Sequence, residues 1–165
     1  MGRLQLRPWL RVEGAGAAAL LSLSLVAAAA AAGPFSSLTG SWSGSGSIRL
    51  QNGKSEALKC RAYYSPKGED HLGLALRCAS ASNKIELRAQ LAATGNRLTG
   101  HWEERSFNAS GIVAGHAAGN HIRLSIQGGG FAGSMAVTTD GTSQVISVTT
   151  YGVALKGVSV RLRRD

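Results

Sequence analysis

The sequence predicts an all-β domain: an antiparallel meander forming a single barrel or strongly rolled sheet of about 8–10 strands, placed after an N-terminal signal peptide. Three observations carry this prediction. No stretch after Gly33 repeats its apolar residues at helical spacing. Short segments alternate apolar and polar side chains, and Gly, Asn, Ser and Asp separate them every ten to thirteen residues. Glycines also recur inside those segments, where a sheet that curls into a barrel needs corners.

The leader comes first. Arg3, Arg7 and Arg11 precede a small and apolar run from Ala15 to Ala32, with Leu20, Leu21, Leu23, Leu25 and Val26 at its centre. A positive segment, an apolar segment and a small-residue exit, in that order, describe a secretory signal peptide cleaved near Ala32. A retained membrane anchor is the alternative, because the run is nearly long enough to span. Residues 1–32 are thus the predicted signal peptide and 33–165 the β-barrel-like domain, periplasmic or secreted. The mature part carries a net charge of +7.

Ten segments are read as strands: 42–50, 56–64, 72–79, 84–92, 97–105, 111–117, 121–127, 131–138, 144–150 and 154–163. In the first, Asn52-Gly53 marks the following turn. A two-residue loop would put Leu58 and Cys60 on the wrong face, so a three-residue loop, Asn52-Gly53-Lys54, is expected with Gly53 at positive φ. This register sets Leu50 opposite Glu56, Ile48 opposite Leu58 and Trp42 opposite Tyr64. The second and third segments flank Gly68-Glu69-Asp70, and one register pairs Cys60 with Cys78, Ala62 with Leu76 and Tyr64 with Leu74. All of these fall on one face, while Arg61 meets Arg77 on the other, which must be wet because like charges directly opposed need solvent. A Cys60–Cys78 disulfide follows and suits an exported chain. Closing that loop is worth about 3 kcal/mol.

In the fourth segment Ile85, Leu87, Ala89 and Leu91 share a face, and Leu98, Gly100 and Trp102 continue it across Thr94-Gly95, with Trp102 opposite Leu87. A weak stretch rich in Gly and Ala runs from Ala109 to Asn120. After it come Ile122, Leu124 and Ile126, then Phe131, Gly133, Met135 and Val137, and last Val158, Val160 and Leu162. Gly128-Gly129-Gly130 reads as a hairpin connection, since no lysine stands in the P-loop place.

Two resemblances accompany these residues. Gly40-Ser41-Trp42 on the first strand, with a basic residue on the last able to lie across the indole, resembles the calycin barrels, lipocalins and their relatives. That resemblance implies Trp42 as the conserved-type tryptophan and Arg161 or Arg163 as its cation. The fuller phrase Leu38-Thr39-Gly40-Ser41-Trp42 is also similar to the opening strand of avidin-like proteins, whose biotin sites need further tryptophans in later strands, whereas the mature chain has only Trp42 and Trp102, so biotin binding is not carried over. Over nearly the whole mature chain, Leu58-Lys59-Cys60-Arg61-Ala62-Tyr63-Tyr64, Leu76-Arg77-Cys78-Ala79-Ser80 and Val158-Ser159-Val160-Arg161-Leu162-Arg163 resemble a group of uncharacterised exported proteins of alphaproteobacteria. This implies export and the cysteine pair, and no activity.

Residues for chemistry are sparse. Gly40-Ser41-Trp42-Ser43-Gly44 has tryptophan where a nucleophile elbow needs serine. His71, His101, His116 and His121 are scattered, so neither metal nor cofactor is expected. Glu103-Glu104 puts one carboxylate on each face, and solvation accounts for both. Asn108-Ala109-Ser110 has the form of a glycosylation sequon. The expectation is therefore a non-enzymatic binding or cell-envelope-associated protein.

Three roles stay open. Trp42, Tyr64 and Trp102 either plug the barrel or wall a pocket for a small apolar ligand. Basic residues led by Arg61, Arg77, Arg161 and Arg163 would attract anionic envelope polymers or lipid head groups, whereas nucleic acid lacks an aromatic stacking platform. Inhibition of a host hydrolase such as lysozyme is the third, by analogy of fold.

Overall fold

The computed structural model describes residues 33–165; the leader and its cleavage point near Ala32 lie outside the described residues. Ten strands follow in order: β1 (Gly40–Leu50), β2 (Ser55–Pro66), β3 (His71–Ala79), β4 (Lys84–Thr94), β5 (Arg97–Glu104), β6 (Ala109–Ala118), β7 (His121–Gly128), β8 (Phe131–Asp140), β9 (Ser143–Tyr151) and β10 (Leu155–Arg164). Each pairs antiparallel with the next, and β10 pairs back onto β1, so the meander closes into a barrel. Every predicted segment falls on one strand.

Closure depends on glycine. At Gly44, Gly46, Gly100, Gly111 and Gly115, an added Cβ would lie 1.9–2.1 Å from a carbonyl oxygen of the adjacent strand. No L side chain fits there without moving backbone, so these positions are the corners at which the sheet turns on itself.

The β2–β3 register is as expected, with Cys60 opposite Cys78 and Arg61 opposite Arg77. Two other registers differ from expectation by two residues. In β1–β2, Trp42 faces Ala62 rather than Tyr64, and Ile48 rather than Leu50 faces Glu56. The loop is Gln51-Asn52-Gly53, because the Leu50 N–H donates to Lys54 O (2.8 Å) and the Lys54 N–H donates to the Asn52 side chain (3.0 Å). Gly53 has φ +80°. Across β4–β5, Trp102 faces Ala89 rather than Leu87, around the two-residue loop Gly95-Asn96. A slip of two returns every side chain to its own face, so alternation alone does not detect it.

The two ends are built differently. At one end, here the floor, the turns are 67–70, 95–96, 119–120 and 141–142, and each gives a carbonyl to a neighbouring strand. Ala93 N–H donates to Asp70 O (2.8 Å), Ala117 to Asn96 (2.8 Å), Thr139 to Asn120 (3.0 Å) and Arg164 to Thr142 (2.9 Å). The segment before β1 lies across this end and buries Phe35 and Leu38. The opposite end, the mouth, has turns 51–54, 80–83, 105–108, 129–130 and 152–154.

Candidate functional site

The interior is the candidate site, and its floor is sealed. Trp42 is fully buried and its indole Nε1 donates to Leu38 O at 2.7 Å, fastening the N-terminal segment beneath the barrel. Outside it the guanidinium of Arg164 stands 4.3 Å from the ring centroid. The same guanidinium donates to Ser37 O (2.8 Å) and to Thr39 O. The cation is thus Arg164 and not Arg161 or Arg163, which point outward opposite Ser45 and Ser43. The pairing decides this, since Arg164 is the residue directly across from Trp42.

The floor half also holds a buried polar pair. The Tyr64 hydroxyl donates to Gln144 Oε1 at 2.9 Å, and Gln144 is fully buried with its Nε2 unpartnered. Burial pushes the Tyr64 phenol well above its ordinary range, and the bond to Gln144 opposes this only in part. Leu98, Ala117, Ile122, Val137, Ile146 and Leu162 fill the rest of this half.

The mouth half differs. Leu87, Ile126, Met135 and Val148 face inward and sit inside their strands, away from the rim, yet each is only partly buried. Leu87 borders the outer cleft beside Arg61 and Arg77, and Met135 an outer groove beside His116 and Arg123, so this half is less tightly covered than the floor. On the β1–β3 side Ile48, Leu58 and the Cys60–Cys78 disulfide, with a Cα–Cα distance of 4.1 Å, remain buried.

Two carboxylates hold the rim. Glu56 accepts from Ser80 Oγ (2.5 Å), from Ser82 Oγ and N–H, and from Asn83 Nδ2 (3.4 Å), which ties the 80–83 turn to β2. Those hydroxyl donors, Ser80 first, hold its pKa down at about 2. Glu104 is buried and accepts the N–H groups of Glu86 (2.6 Å) and Phe107 (2.7 Å). It is therefore not the solvated carboxylate expected; it shares the inward face of Trp102, two residues before it.

The three aromatic residues named from the sequence do not meet. Trp42 and Tyr64 belong to the floor, whereas Trp102 lies near the mouth, where its ring tip would be 3.4 Å from a Cβ at Gly129 in the β7–β8 turn. Arg61 and Arg77 line a cleft of about 310 Å³ on the outer wall, together with Tyr63 and Arg88. Among the described residues no group of three His, Cys, Asp or Glu is placed to hold a metal ion, and no helix is long and apolar enough to cross a membrane.

No family model and no curated protein matches the chain. Solved structures do. The chain is similar to Rv2717c from M. tuberculosis (TM-score 0.68, 16% identity, covering 79% of this chain and 94% of that one). It is also similar to the S-type phycobiliprotein lyase CPES from Guillardia theta (TM-score 0.59, 12% identity, covering 79% and 90%). At these identities the likeness is one of fold: a closed antiparallel barrel.

Proposed function

We propose that this chain is an exported, non-enzymatic carrier that holds a small apolar ligand in the mouth half of its barrel, with residues 1–32 removed on export. The observation that carries the reading is the contrast between the two halves: a floor packed around Trp42, and a mouth half whose inward apolar side chains Leu87, Ile126, Met135 and Val148 are only partly buried. Apolar walls with few polar groups suit such a ligand. Trp102 would form part of the wall, with Trp42 and Tyr64 as the base on which it rests. The Cys60–Cys78 disulfide supports an oxidising compartment.

Titration with Nile red tests the reading. Saturable binding with a blue shift of the dye and quenching of tryptophan emission is expected, and Met135→Trp or Val148→Trp, which fill the space, should weaken it at least tenfold without lowering the melting temperature. Absence of saturable binding, or binding unaffected by both fillings, would rule the interior out.

A further inference from the structure

The excess of positive charge on the strands is concentrated on one wall. On the outer faces of β10 and β1 stand Arg161, Arg163 and Arg49; β2 adds Lys59 and Arg61. Arg77 on β3 and Lys84 and Arg88 on β4 continue the array, and all of these residues are exposed. Two carboxylates oppose them: Glu86, outward on β4 across from Arg77, and Asp165, which accepts from the Ser43 hydroxyl and lines the Arg61–Arg77 cleft. The other five strands carry Arg97 and Arg123 against Glu103 and Asp140, which balance.

Register turns this array into rows. Arg163, Ser43, Arg61 and Arg77 are consecutive cross-strand neighbours, and so are Arg161, Ser45 and Lys59. With strands about 4.8 Å apart, each row crosses the wall at right angles to the strands. Arg61 directly opposite Arg77 is a repulsive pair within the chain. An anion laid between them relieves it.

We infer that this wall binds a linear acidic polysaccharide, lying across β10–β1–β2–β3 with its carboxylates on the rows of guanidinium groups. Arginine matches a carboxylate with two parallel hydrogen bonds. The hydroxyls of Ser45 and Ser47 supply partners for sugar hydroxyls, and Tyr63, 55% exposed beside the Arg61–Arg77 cleft, offers one ring face. A bilayer is a poorer fit, because the surface between the cations is mostly serine and alanine and Tyr63 is the one large apolar side chain exposed on it. Single-stranded nucleic acid needs several stacking rings, and the wall has one.

The test compares two variants of equal net charge, using the protein secreted by an exporting host. Arg61→Gln/Arg77→Gln removes charge from the basic wall and Arg97→Gln/Arg123→Gln removes the same charge from the opposite one. Affinity for polygalacturonate, measured at several salt concentrations, should fall at least tenfold for the first pair and less than twofold for the second. Since the first pair removes a repulsion, its melting temperature should not fall; should it do so, Arg161→Gln/Arg163→Gln takes its place. Equal losses in both pairs would mean attraction by net charge alone and would overturn the inference. So would absence of binding, or tighter binding to phosphatidylglycerol vesicles or single-stranded DNA than to polygalacturonate. Nile red binding in the same variants reads the interior separately, so neither result stands in for the other.

Discussion

The Tyr64 hydroxyl reaches Gln144 Oε1 at 2.9 Å across the inside of the barrel, joining β2 to β9, strands that are not neighbours in the sheet and residues 80 apart in sequence. The pair is incomplete, because the Gln144 amide nitrogen has no partner. Tyr64→Phe therefore orphans a second atom of the same amide and should cost about 1–3 kcal/mol. Adding Gln144→Met removes every unpaired group at once, so the double variant should equal or exceed wild-type stability. Urea denaturation of the four members of the cycle measures this, and additive losses would show that the bond contributes nothing.

Glu56 gives the fold an acid dependence of defined sign. Its ordinary pKa is 4.5 and its folded value about 2, so its stabilising contribution is complete above the first and lost as pH falls toward the second. Wild type should exceed Glu56→Gln in stability at pH 6, with the gap closing by pH 2. Denaturation midpoints that stay parallel across that range would contradict the assignment.

Glu104 carries a different kind of cost. It pairs two backbone N–H groups while itself buried, and Glu104→Ala strips both of them of their acceptor. A loss of about 2–4 kcal/mol is expected, with faster amide exchange at Glu86 and Phe107. Glu104→Gln, which keeps one acceptor, should fall between the two.

At Gly115 an added Cβ would lie 1.9 Å from Arg123 O. Gly115→Ala should cost about 2–4 kcal/mol or prevent closure, whereas the adjacent outward Ala114→Ser should stay within about 0.5 kcal/mol. Thermal melts of the two variants make the comparison.

Cys60 and Cys78 form a disulfide across a separation of 18 residues. Replacing both by alanine should lower stability by about 3 kcal/mol, and thiol titration of the denatured, unreduced protein should find no free cysteine. Two reactive thiols would contradict the bond.

Alternation made the strands legible, because each inward side chain in β2, β3 and β5 repeats at a spacing of two. It could not fix the β1–β2 or β4–β5 register, since a shift of two residues preserves every face; local turn bonding around Asn52 and Gly95 settles those pairs. The Cys60–Cys78 register was legible because two independent signals, the sulfur pair and the shared apolar face of Ala62, Tyr64, Leu74 and Leu76, agreed on it. Arg164 was missed in favour of Arg161 and Arg163 because its partner is set by the closure of β1 onto β10, a pairing that no turn encodes. Glu104 could have been found: the parity that turns Trp102 inward turns it inward too. The partial burial of Leu87, Ile126, Met135 and Val148 has no sequence signature, being set by how completely the neighbouring strands cover them.

The closure of β1 onto β10 has a kinetic consequence. Every other strand pair joins sequence neighbours through a short turn, so hairpins can form early and locally, while the β1–β10 seam must wait for both ends of the chain to meet. Trp42 and Arg164 lie 122 residues apart and touch only when that seam is made. Tryptophan emission should thus report the last step of folding rather than the first, and Arg164→Met should speed opening of the barrel more than it slows its assembly.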